Sequence, residues 1–294
     1  MEANVRKGYF YLLLTTFLWG TLYVVSKFVM GKLPTFTVAF SRYLIAFAAL
    51  SLLAKKVGTQ KIAKEDDKYV FIIGFLGYFA AVGMQLMGTK LAGSSVASLL
   101  NSMNPITISL MAWLILKEKM TMPKVAGLAL SLFGVYLIIG TGADINLAGA
   151  LASGVAVLGW SYMSVITRKV TSKYDALTIT RAAMGITVVC DLPVCIGEIL
   201  LTDQQVIFDA ASVLGLLYIG LVCTALTMIL WNKSLSMLPA SICSAFYPIQ
   251  TLTSSMLGVL ILHETAGLSF WSGSACIIIG VLISLLWKSR QKES

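Results

Sequence analysis

Residues 97–139, ASLLNSMNPITISLMAWLILKEKMTMPKVAGLALSLFGVYLII, and residues 240–283, ASICSAFYPIQTLTSSMLGVLILHETAGLSFWSGSACIIIGVLI, carry one pattern written twice. Ala97-Ser98 answers Ala240-Ser241, and Asn104-Pro105 answers Tyr247-Pro248 at the same offset. Glu118 answers Glu264, Gly127 answers Gly273 and Gly134 answers Gly280, all at an offset three longer. The second copy therefore holds three extra residues between its proline and its glutamate. Each copy is an apolar run, a short charged turn and another apolar run. Such self-similarity decides architecture before any local reading does.

The pattern extends outward from this core. Trp19-Gly20 in the first apolar run is matched by Gly159-Trp160. Arg42 follows Trp19 at nearly the spacing at which Arg181 follows Trp160, and Lys90 answers Lys233 at the offset of the two prolines. The repeat thus covers nearly the whole chain, as residues 1–141 and 142–294.

The 294 residues are 58% hydrophobic and 12% charged, with a mean hydropathy of +0.87. Soluble domains carry about 25% charged residues, so this chain lacks the polar surface that water requires. A bilayer span needs about 20 apolar residues. The runs between charge clusters give ten, near 8–30, 34–54, 69–89, 93–116, 123–141, 147–167, 174–200, 211–231, 239–262 and 268–287. The first is read as a retained span, being long, carrying Trp19 and lacking a small-x-small cleavage site. The five cysteines, Cys190, Cys195, Cys223, Cys243 and Cys276, fall within spans without metal-type spacing; they are expected to behave as small buried apolar residues.

The net charge of +9 would fit nucleic acid if it were clustered on one face. Instead, with the N-terminus inside, 17 of the 22 basic residues lie on one side of the ten spans, and only Lys27, Lys32 and Lys90 on the other. This bias predicts cytoplasmic termini and an even number of spans. Five spans per repeat is odd, so the second repeat enters the membrane from the opposite side. Inverted repeats of this kind place a binding site near the midplane between the halves.

Polar and aromatic residues inside spans are the candidate site. Trp19, Tyr23, Trp160, Trp231 and Tyr247 are the candidates for an aromatic-lined pocket; Trp19 and Trp160, near mid-span, favour it, whereas Trp231 and Trp287, near span ends, fit an interfacial belt better. Tyr78 and Gln85 share a face of span 3, Asn101 and Asn104 one of span 4, Thr224, Thr227 and Trp231 one of span 8, and Ser244, Tyr247 and Thr251 one of span 9. Together with Gln250 these faces should point inward, since polar groups are costly against lipid. Pro105 and Pro248 are expected to bend their spans, each freeing a carbonyl about four residues earlier. Arg42 and Arg181 are intramembrane cations that either gate the two mouths or snorkel to the interface. Asp191 is the one acid placed within a span, read either as a buried charge or as a turn residue before Pro193. Glu118, between Lys117 and Lys119, reads as a solvated turn, and the sole histidine, His263, stands beside Glu264 at a span end.

Trp19-Gly20, Arg42, the alanine-bearing start of span 4, Pro105 with Glu118 thirteen residues on, and Gly127 and Gly134, with their weaker copy in the second half, make the chain resemble the drug/metabolite transporter superfamily in its ten-span EamA-type branch. The resemblance runs end to end. It implies a polytopic carrier of small organic molecules, often an exporter of amino acids or related metabolites, working by alternating access. The alternatives are an uptake permease or efflux carrier for cationic or drug-like compounds, which would need a carboxylate such as Asp191 in the cavity, and a non-transport membrane subunit. No P-loop, H-E-x-x-H or clustered metal ligands occur, so no enzyme activity, no cofactor and no metal are expected. The expected partners are a small-molecule substrate and the bilayer, not nucleic acid. The expected fold is an all-α polytopic inner-membrane protein of ten helices, acting as a monomer or weak homodimer.

Overall fold

The structure, a computed structural model, describes residues 2–101, 103–139, 146–201, 206–262 and 268–290. His263 and Glu264 lie outside the described residues, as do the side chains of Tyr23, Lys90 and Trp287. The described secondary structure is entirely helical. In chain order the helices are α1 (Glu2–Met30), α2 (Thr35–Val57), α3 (67–101), α4 (Asn104–Leu116), α5 (Met122–Ile139), α6 (Leu147–Val170), α7 (Ala176–Leu201), α8 (Ala210–Met237), α9 (Ala240–Ser244), α10 (Tyr247–Leu262) and α11 (Leu268–Arg290). Six segments among them are long and apolar enough to cross a bilayer; 104–116, 122–134 and 271–283 form shorter apolar helices. The fold is that of a polytopic membrane protein.

Turn chemistry fixes the boundaries. Gly58, at φ 88°, ends α2. Asn146 caps α6 by accepting from the Gly149 N–H at 3.1 Å. Asp209 and Ser212 form a reciprocal capping box at the start of α8. The middles of α3 (Ile72–Ala81) and α8 (Tyr218–Leu226) are both wound as wider π-type turns. This local device recurs at matching places in the two halves of the chain.

The same symmetry governs packing. α1 of the first half packs against α8 and α10 of the second, while α6 of the second packs against α3 and α4 of the first. Likewise α2 lies on the π-wound part of α8 and α7 on that of α3, and α2 pairs with α7. Each half therefore completes the other. α5 and α11 form another extensive pair. There the backbones approach so closely that a Cβ on Gly134 would meet Cys276 Cβ at 2.9 Å and one on Gly280 would meet Ser131 N at 2.8 Å. Small residues permit this approach between membrane helices, which explains the glycines that the repeat preserves.

Two ion pairs bracket the bundle at equivalent places. Lys32, before α2, pairs with Asp209, before α8. Lys173, before α7, pairs with Asp66, before α3, at 2.5 Å. Lys173 is the second-half counterpart of Lys32, and Asp209 that of Asp66, so each pair joins a lysine of one half to an aspartate of the other.

One expected boundary is moved. Instead of separate spans over 69–89 and 93–116, α3 runs on to Asn101 and the next helix starts at Asn104. The second copy changes helix at the matching place, from Ser244 to Tyr247, and again between Met237 and Ala240. The extra break has a physical cause: Pro239 interrupts the helix where the first copy has Val96.

Candidate functional site

α4 and α10 begin with Asn104-Pro105 and Tyr247-Pro248. Both prolines lie in the first turn of a helix, not at a mid-span bend as expected. There a missing N–H removes no intrahelical bond. Asn101 and Asn104 consequently belong to different helices, as do Ser244 and Tyr247. The two restarts touch: the Ser244 hydroxyl lies 3.2 Å from that of Ser109 and donates to the Pro105 carbonyl at 3.3 Å.

Between these restarts the centre is built from rings. Trp19 of α1 stands edge-on to Trp160 of α6, with centroids 6.0 Å apart. It also contacts Trp231 of α8 at 5.4 Å and Tyr247 of α10 at 5.9 Å. Tyr247 meets Trp231 edge-on at 5.2 Å. Tyr78, in the π-wound part of α3, reaches Trp160 at 6.4 Å and stacks on Tyr43 of α2 at 6.2 Å. Ring pairs at these separations are favourable beyond their burial.

Hydrogen bonds orient the cluster. The Trp19 indole donates to Thr227 Oγ1 at 3.1 Å, and Thr227 donates in turn to the Cys223 carbonyl at 2.7 Å. The Trp160 indole donates to the Tyr247 hydroxyl. Asn232 donates to the Tyr78 hydroxyl at 3.2 Å and to Thr180 at 2.7 Å. Trp19 and Trp160 thus meet directly, with no cavity between them. Buried polar atoms without partners include the Trp231 indole N–H, the Tyr43 hydroxyl and Asn232 Oδ1 in this cluster, and Asn104 Oδ1 at the start of α4. An unmade buried hydrogen bond costs about 1–3 kcal/mol, so such groups call for an explanation.

The sequence profile of the EamA-like transporter family matches this chain twice, over residues 6–140 and 147–286. The chain belongs to the EamA-like transporter family. Its relatives include the uncharacterized transporter YetK of Bacillus subtilis, 25% identical over 92% of this chain and 84% of that one. An uncharacterized transporter of Archaeoglobus fulgidus is 24% identical over 94% and 98% of the two chains. One of Clostridium kluyveri is 26% identical over 99% and 96%. A solved crystal structure, 19% identical, superposes over the whole of both chains with a TM-score of 0.81 and has the same fold.

In this EamA-type chain the remaining candidates divide. Gln85 and Gln250 are half-buried on α3 and α10, and Asn101 is half-buried at the end of α3. The Gln250 carbonyl abuts Gly20, beside Trp19, where a Cβ would meet it at 3.0 Å. Arg42 is drawn over the Tyr43 ring, its guanidinium carbon 4.8 Å from the centroid, with Nε buried and unpartnered. Arg181 donates to Ser51 at 3.1 Å and covers Phe47.

Three sequence expectations are corrected. Trp231 does not lie in an interfacial belt: it is 0% exposed. α8 continues beyond it to Met237, which carries Trp231 inward. Asp191 is not a turn residue, because α7 runs unbroken through Pro193. Glu118 is not merely solvated. Lys117 ends α4 in a left-handed conformation, φ 54°, and this turns the Glu118 carboxylate onto α9. There it accepts from the Ala240 N–H at 2.8 Å, the Ser241 N–H at 3.2 Å and the Ser241 hydroxyl at 2.7 Å. Lys124 donates to the same hydroxyl at 2.8 Å. Glu118 thus caps a helix of the opposite half. The repeated Ala-Ser pair, a helix start after Pro239, was the one sequence signal for this contact.

Proposed function

We propose that the chain is a secondary transporter, an exporter, of small organic metabolites such as amino acids across the cytoplasmic membrane, with both termini cytoplasmic. Residues 1–141 and 142–294 would act as the two inverted repeats of an alternating-access cycle. The observation that carries this reading is the aromatic cluster, to which α1, α3, α6, α8 and α10 each contribute a ring. It lies where the two halves interlock; Trp231 within it keeps an unsatisfied donor, and Asn104 at the start of α4 keeps an unsatisfied acceptor. A partly apolar solute with both an acceptor and a donor, as an amino acid has, would complete Trp231 Nε1 and Asn104 Oδ1 while its side chain packs on Trp19, Trp160 and Tyr247. The rings fill the centre in this conformation, so admitting a solute requires the halves to part on one side.

The test is uptake and counterflow in proteoliposomes against an amino-acid panel, with and without a pH gradient. Saturable counterflow lost in Trp19→Ala and Trp160→Ala supports the assignment. A panel in which no amino acid is carried or competes overturns the choice of cargo.

A further inference from the structure

Away from the aromatic centre, α2, α3 and α7 line an open cleft of about 270 Å³. Its walls are Phe36, Phe79, Met84, Met87 and Val194, and its one charged wall residue is Asp191. Asp191 is 6% exposed, and its Oδ2 has no hydrogen-bond partner. The geometry points to a binding site in this cleft for a small organic ammonium ion bearing an aromatic or alkyl group, with Asp191 as its counter-ion.

The chemistry of the walls matches that ligand. A carboxylate taken out of water without a partner is costly to keep charged, and an opposite charge brought into contact relieves the cost. Ring faces attract organic cations, and thioether side chains adapt to varied apolar shapes. The volume lies just below the roughly 300–1,000 Å³ of drug-sized sites, so it suits a cation with a single ring.

Neither the charged groups on the packed helices nor the buried Tyr43 hydroxyl of α2 hydrogen-bonds Asp191 Oδ2. Arg42 of α2 is close enough to act on Asp191 electrostatically, yet forms no ion pair with it within 4 Å among the described residues. Its guanidinium is committed to the Tyr43 face. Glu198, the next acid on α7, accepts from the Thr37 N–H at 2.9 Å. Tyr43, stacked on Tyr78, connects this region to the central rings. The carboxylate is not repeated in the other half: counting from Arg181 and Arg42, the residue equivalent to Asp191 is Leu52.

The decisive experiment is calorimetric titration of the purified full-length protein with benzyltrimethylammonium, a cation that cannot lose its charge, beside neutral benzyl alcohol. Saturable binding of the cation alone is expected. Asp191→Asn should weaken it at least about tenfold, as truncating one partner of a buried charge pair does, and Asp191→Glu should retain it. A second variant does not touch the carboxylate. A Cβ on Gly83, another cleft residue, meets nothing within 4 Å, so Gly83→Leu fills the cleft without displacing backbone and should abolish binding. The site is refuted if the cation binds Asp191→Asn or Gly83→Leu as tightly as the parent, or if benzyl alcohol binds equally well. Should Asp191→Asn fail to fold, Gly83→Leu decides alone. Binding is read without transport, so its failure is separate from any failure of amino-acid counterflow.

Discussion

The two places where a membrane helix restarts, at Asn104 and at Tyr247, share a backbone and differ in almost everything attached to it. Both put a proline in the first turn of the new helix. Asn104 stands at the first and Tyr247 at the second, where Trp231 packs on it; the first-half position matching Trp231 is Gly88. The first junction continues from a long helix, whereas the second is preceded by a separate short helix, α9, held by Glu118 from the other half. The duplicated device specifies where helices restart. The unduplicated side chains specify what fills the centre, and there the two ends of a solute would be told apart.

The comparison breaks most severely at Trp231. Trp231→Ala brings the second junction towards the first and empties a fully buried position between Trp19 and Tyr247. A loss of about 3–5 kcal/mol is expected for a buried tryptophan, seen as a large drop in thermal unfolding temperature in detergent, together with loss of counterflow. An unchanged melting temperature would mean that the ring cluster contributes no packing. Next comes Glu118→Ala, which strips the cap from α9 and leaves two N–H groups without their acceptor. About 1–3 kcal/mol is expected, with Glu118→Gln recovering part of it; equal melting of Glu118→Ala and parent would remove the carboxylate from the account.

Tyr247→Phe sharpens the contrast more gently. It keeps the ring but removes the acceptor for the Trp160 indole, for a loss of about 1 kcal/mol, whereas Asn104→Leu should stabilise the fold slightly while impairing amino-acid counterflow. Stabilisation with full transport would take Asn104 out of the site.

The smallest effects belong to the matched ends, Lys32 with Asp209 and Lys173 with Asp66. Lys32→Met and Lys173→Met should lower the melting temperature slightly and similarly, and the difference from parent should fade in high salt. Hydrogen bonding from Lys32, then from Ser212, holds the Asp209 carboxyl down at about 2. A carboxylate with a depressed value stabilises the folded state above the ordinary carboxylate range and loses that contribution as pH falls towards about 2. Acid titration should therefore destabilise the parent more steeply than Lys32→Met. Parallel acid titrations of the two proteins would rule out that linkage.

The repeat and two of the central tryptophans were legible because they are sequence-local: Trp19 and Trp160 sit deep in long apolar runs, and Pro105 and Pro248 marked matching places, although they were read as bends and in fact begin helices. Trp231 was misplaced because its depth depends on where α8 ends, and apolar runs do not show helix ends well. Glu118 looked solvated because its lysine neighbours are adjacent in sequence whereas its partners, Ala240 and Ser241, belong to the other half of the chain. Asp191 was read against Pro193, a good breaker in water. In α7 the helix continues through that proline, as membrane helices tolerate when neighbours satisfy the freed backbone.

The crossed packing of α1 with α8 and α10 also imposes an order on biosynthesis. Trp19 leaves the ribosome roughly 200 residues ahead of Trp231, and at about 5–20 residues per second this is a wait of roughly 10–40 s. Throughout it the nascent N-terminal half sits in lipid without its final neighbours. A chain that stops early never receives them, so membrane quality control, rather than a half-active fragment, is the fate expected of a truncated product.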